Sequence, residues 1–212
     1  MAASNLQLSE SDYRTLIDLL GLLTYMSIRQ EWMKFVQRRE LFMLDPLDGD
    51  PNGRTIVLSP EINELLNREM EEGKEANRRS RLLATLQNIV TGRRLVVCLE
   101  PFCAGNAHIG LLSPITDSVF DIRCQDKPAV RVFCRFLEKD VLFAATCRPR
   151  SVEQNWLRWL PLNGRNSKEW ERGIAATKRE WNKFFPTYSP VMGGCLNDYL
   201  SNATHERARG RS

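Results

Sequence analysis

The chain holds only two histidines, His108 and His205, and no Cys-x-x-Cys pair. A ribonuclease site built on paired imidazoles would need both histidines to converge. The cysteines at 98, 103, 124, 134, 147 and 195 lack histidine partners at zinc spacing, so no metal site is expected. Several occupy core-type strand positions, where Cys behaves as a small hydrophobe. They read as reduced thiols of a cytoplasmic protein and not as a disulfide framework. Long apolar runs are missing as well. "LIDLLGLLTYM" is about a dozen residues, short of the roughly 20 that span a bilayer, and Asp18 interrupts it. The opening MAASNLQLSESDYRT has no basic start of a secretory leader. No membrane partner and no cofactor are expected.

What is present is an ordinary globular composition: 42% hydrophobic and 26% charged over 212 residues, long for one domain and short for two. The charge is uneven. Residues 1–92 carry 11 Lys and Arg against 14 Asp and Glu, a net of −3, and residues 93–212 carry 19 against 12, a net of +7. The second part is the candidate for an anionic partner.

Leu16, Leu19, Leu20, Leu23, Trp32, Phe35 and Val36 recur at helical spacing. "DGDPNGRTIVLS" (48–59) has the acidic and glycine positions of a calcium loop, but Ser59 stands where the bidentate Glu belongs, so it reads as a turn. Ser59-Pro60-Glu61 is a helix start. Ile62, Leu65, Leu66 and Met70 form one stripe; Leu82, Leu83, Leu86, Ile89 and Val90 form another, closed by Gly92. The charged stretch between them is a solvated helix or a break. After Gly92 the texture changes to short Val-, Phe- and Ile-rich runs at 94–99, 118–124, 129–137 and 140–147. A helix then follows from about Asn166, with Trp170, Ile174, Trp181 and Phe184 or Phe185 on one face, and Pro186 ends it. The expected fold is α+β: a helical N-terminal extension (1–92), a small, mostly antiparallel sheet flanked by a C-terminal helix (93–190), and a polar basic tail (191–212).

In "AVRVFCRFLEKDVLFAATCRPRS" (129–151), Val130, Val132, Cys134 and Phe136 share one face, and Arg131, Phe133, Arg135 and Leu137 the other. With Glu138-Lys139 as the turn, Arg131 faces Thr146, Arg135 faces Leu142, and Arg148 joins the arginine side. The apolar face is expected to take the 167–185 helix. The opposite face then presents guanidiniums around Phe133, flanked by Lys127 and Arg150. Two uses stand for it: pairing with carboxylates such as Asp121 and Glu138, or holding phosphates.

"VFDIRCQDKPAVRVFCRFLEKDVLFAATCRPRS", followed by "SKEWERGIAATKREWNKF", resembles the RelE/ParE superfamily of bacterial toxins, particularly the HigB type, over roughly residues 118–185. Asp121 and Arg123 match its acid-x-Arg strand, Arg131 to Phe136 its Arg-Val-aromatic strand, and Val141 to Arg150 its last strand. The resemblance implies a small sheet flanked by helices. In the RelE and HigB branches it also implies cleavage of messenger RNA on the ribosome, by cations that activate the ribose hydroxyl and stabilise the phosphorane. On that basis Arg131, Arg135 and Arg148 are the catalytic candidates, with Arg123, Lys127, Phe133 and Arg150 contacting RNA. The implied partners are RNA or the ribosome, and an antitoxin. The chain departs from the pattern at the Pro149-interrupted basic pair, at the insertion 152–166, and in the 90 or so residues before the sheet. A non-catalytic binding or structural module, either a ParE-like protein binder or a degenerate toxin, is the other reading. In that case the arginines are consumed by carboxylates, some of them from residues 1–92.

Overall fold

The computed structural model describes residues 28–46, 53–69, 73–101, 107–124, 129–149 and 168–205. Lys127, Arg150, Glu71, Glu72, the 48–52 turn, the 152–166 insertion and the tail from 206 lie outside the described residues.

Helix α1 covers residues 28–37 and is followed by β1 (Phe42–Met43) and β2 (Thr55–Leu58). Ser59 then starts α2 (Pro60–Asn67), its hydroxyl accepting from Ile62 N at 3.3 Å ahead of a proline that needs no donor. Helix α3 (Lys74–Val90) follows, so the charged stretch is helical from Lys74 onward. Gly92, at φ 71°, turns the chain out of it in a conformation that favours glycine. Strands β3 (Leu95–Cys98), β4 (Ile109–Leu111), β5 (Phe120–Cys124), β6 (Val130–Glu138) and β7 (Val141–Pro149) come next. Helix α4 (Lys168–Phe184) and β8 (Ala203–His205) complete the described chain.

The eight strands form one mixed sheet in the order β1-β2-β7-β6-β5-β4-β3-β8, with β2·β7, β3·β4 and β3·β8 parallel. This corrects the expected architecture while leaving it α+β. The sheet is larger than the small, mostly antiparallel one expected. The first 92 residues are also not purely helical, because β1 and β2 belong to the sheet. "TIVL" is too short for alternation to mark it, and both its faces are covered. Residues 203–205, read as tail, pair with β3.

Helices cover both faces. Ile62 and Leu66 of α2 and Leu82, Leu86, Ile89 and Val90 of α3 pack on Ile56, Val130, Val132, Cys134, Phe136 and Leu142. Tyr199 and Leu200 close that layer, with the Tyr199 ring 5.0 Å from Phe120. On the other face Ile28 and Trp32 of α1, Trp181 and Phe184 of α4, and Phe185 just after it pack on Val57, Leu137, Val141 and Phe143. Further along, Ile174 and Trp170 of α4 meet Phe133. The pairing of helix and face is therefore the reverse of the expected one: α4 lies on the arginine side. Phe133 and Leu137 give that side the apolar area to hold a helix, and arginine stems can be buried while their heads stack on tryptophan.

The hairpin register also differs. The turn is Lys139-Asp140, with Asp140 at φ 62°, and Glu138 pairs with Val141. Register shifts at Leu137 and Ala145 place Arg135 opposite Phe143, Phe133 opposite Thr146 and Arg131 opposite Arg148. The bulged Ala145 carbonyl accepts the Ser59 hydroxyl at 2.7 Å. The turn itself is pinned. Asp140 N donates to Tyr199 O at 2.9 Å, Thr55 N donates to Asp140 O at 2.9 Å, and Asp140 Oδ1 accepts Ser201 N at 2.8 Å.

Candidate functional site

The register puts Arg123, Arg131 and Arg148 side by side on β5, β6 and β7: Arg123 pairs with Arg131, and Arg131 with Arg148. Three adjacent cations on neighbouring strands repel one another unless anions sit between them. Asp121 is one such anion. It lies two residues before Arg123, hence on the same face, and its side chain is 0% exposed. Arg123 Nε lies 3.1 Å from its Oδ1 and 3.2 Å from its Oδ2, and Arg131 Nη1 donates to Oδ2. Gly110 pairs with Asp121 from β4, and a Cβ there would collide with the Arg123 guanidinium, so the glycine lets that arginine fold over the strand. Arg131 also stacks on Trp170, its guanidinium carbon 4.4 Å from the ring centroid. The side chains of Arg123 and Arg131 are only 12% and 18% exposed.

Glu61 supplies the second anion, from the first turn of α2. Strand β2 stops pairing with β7 at Ala144, which leaves the β7 edge open beyond it. Glu61 occupies that edge: its Oε1 accepts Thr146 Oγ1 at 2.6 Å, Cys147 N at 3.1 Å and Arg148 Nη1 at 2.8 Å. The Glu61 and Arg148 side chains are 46% and 36% exposed, so this pair forms the open end of the row. Glu64, one turn further along α2, is exposed.

Arg135 is separate from the row. It is buried, donates from Nη2 to Asp117 O at 2.6 Å, and lies 5.4 Å from the centroid of the Trp181 ring. Burial lowers its pKa from the usual arginine value, and Asp117 offsets part of that effect. Phe133 is buried against Trp170, with ring centroids 6.1 Å apart. Of the seven residues picked from the sequence, Arg123, Arg131 and Arg148 come together, Phe133 and Arg135 lie beneath α4, and Lys127 and Arg150 are outside the described residues.

The histidines serve β3 from its two flanks. Val96 N donates to His108 Nδ1 at 2.9 Å, and Leu99 N donates to His205 Nε2 at 3.4 Å. Cys98 is disulfide-bonded, which corrects the reading of every cysteine as a reduced thiol. Cys124, Cys134, Cys147 and Cys195 are free. Burial pushes the Cys147 thiol up to about 12 and raises Cys134 as well, so neither is a ready nucleophile. Among the described residues no group of three or more His, Cys, Asp and Glu could hold a metal ion, and no helix is long and apolar enough to cross a membrane.

The sequence reading passed over Trp170 as a stacking partner, Asp117 as an acceptor and Gly110 as a cradle. Trp170 was visible only as part of a core stripe. Nothing local to the sequence marks Gly110, because its role is set by a residue on the next strand. No family model matches the chain, and neither a curated protein nor a solved structure matches it.

Proposed function

We propose that the chain is a non-catalytic binding module related to toxin-like proteins, in which the arginine row is structural. One observation carries this: Asp121, wholly buried, is held by both Arg123 and Arg131. Cations that stabilise a phosphorane must be aimed at the phosphate. Two of these aim at an internal carboxylate, and a third, Arg135, aims at a backbone carbonyl under α4. Arg148 is engaged by an acid from the first part of the chain, as expected for the module reading. The partner is then a protein, antitoxin-like in role. The free cysteines favour a cytoplasmic setting, whereas the Cys98 disulfide fits an oxidising one.

A ribosome-dependent endonuclease is the second reading, favoured by the half-exposed Glu61–Arg148 pair, which sets a carboxylate and a guanidinium together at the surface. Induced expression in a bacterial host separates the two. The module reading expects unchanged growth and protein synthesis. Arrested translation that Arg148→Ala or Glu61→Gln relieves would favour the nuclease. Arg131→Ala is a poor probe, because it strips a buried carboxylate of one partner and so confounds activity with folding.

A further inference from the structure

Between α4 and the turn at Ser113–Asp117 lies a cleft of about 450 Å³ whose walls include Pro114, Trp170, Ile174 and Ala175. The cleft is built rather than incidental. Lys178 Nζ binds Asp117 Oδ1 at 2.7 Å and Arg135 binds Asp117 O at 2.6 Å, tying the turn both to α4 and to the sheet. An opening fixed in this way needs little ordering when something enters it. Beside it Ile115 stands 54% exposed, an apolar knob next to a cleft of mixed apolar and charged lining. Along the solvent side of α4, Arg172, Arg179 and Lys183 are exposed. Arg179 lines the cleft, and Glu171 lines it nearer the start of α4.

We infer that this cleft is the docking site for an acidic segment of a partner protein, anchored by one apolar side chain. The inference rests on the module reading and specifies the surface that reading lacks. Charge decides the occupant. Along α4 Arg172, Arg179 and Lys183 stand against Glu171 and the half-buried Glu180, and Lys178 is neutralised by Asp117, which leaves an excess of one positive charge. An acidic segment running along α4 meets this excess, while a basic one is repelled. The anchor enters between Trp170, Ile174 and Pro114, with Ile115 packing against the segment's own apolar side. An apolar centre with a charged rim is the usual anatomy of such contacts. Glu171 sets the direction, since it faces any end of the segment that carries a donor.

The test is selection of a random dodecamer display library on the full chain, followed by titration of the enriched peptides. Enriched peptides should be net acidic with a Leu, Phe or Trp anchor. They should bind Ala175→Trp, which fills the cleft, and Arg179→Glu at least about tenfold more weakly, while an Arg81→Glu control on α3, across the sheet, binds as the parent does. Should Ala175→Trp fail to fold, Arg179→Glu, a surface change, carries the test alone. Neutral or basic winners, no enrichment, or binding that ignores both variants overturns the inference. Acidic peptides bound at the cleft by a chain that also arrests translation would keep the docking site and discard the module reading. An inert chain without such peptides would do the reverse.

Discussion

Arg54 and Glu61 are charged residues seven positions apart, and their burial gives them different energetic weights. The Arg54 side chain, 3% exposed, donates to the carbonyls of Ile89, Arg93, Ser201 and Asn202 and lies 3.5 Å from Asp140. It fastens the end of α3, the hairpin turn and the chain leading into β8 to one point. Removing a buried charge from such a network typically costs about 3–5 kcal/mol. Arg54→Met should lower urea unfolding stability by that order. Glu61→Gln keeps an oxygen for Thr146 and Cys147 and loses only a screened ion pair, so its cost should be below about 1 kcal/mol. Equal losses for the two variants would mean that burial does not separate them. The thiols allow a second check. Exposed Cys195 should react quickly with a disulfide reagent in the native protein, and Cys195→Ser should remove that phase. Cys134 and Cys147, whose raised pKa values keep them as thiols, should react only on unfolding.

At the scale of elements, Gly173 is the contact point between α4 and the sheet. A Cβ there would run into the Phe133 ring, which is buried and cannot swing away. Gly→Ala in a helix interior gains about 1 kcal/mol from propensity, whereas overpacking a core costs about 1–3 kcal/mol. The clash wins, and Gly173→Ala should lower the melting temperature. A higher melting temperature would place α4 further from β6. The same elements separate what the sequence reveals from what it hides. The cap at Ser59, the α2 and α3 stripes and the β5–β7 runs were readable because each has a local signal. The bulges at Leu137 and Ala145 were not. In "FLEKDVLFAA" both faces are covered, so no apolar–polar alternation remains to betray a shifted register. That shift brings Arg148 directly opposite Arg131, so the shared face of these arginines was readable in the sequence but their side-by-side pairing was not. Strand β8 has no local signal either; its pairing with β3 depends on a turn that Arg54 and Asp140 hold.

Over the whole molecule, the sequence made the basic face legible but not its cover. Both faces of β6 offer a helix enough apolar area, and the choice between them is made by α2 and α3. These helices follow β2 directly and fill the Val130–Phe136 side, leaving α4 the side with the arginines. Trp170 and Trp181 make that side habitable by giving Arg131 and Arg135 ring faces to lie on. These cations hold the fold together from inside. The most direct measurement is urea unfolding of Asp121→Asn, an isosteric change that removes the charge between Arg123 and Arg131. If the arginines are internal, the variant should lose about 3–5 kcal/mol, the usual result when one member of a buried ionic cluster goes. A loss below about 1 kcal/mol, the range of exposed pairs, would contradict the account and return the arginine face to solvent and to RNA.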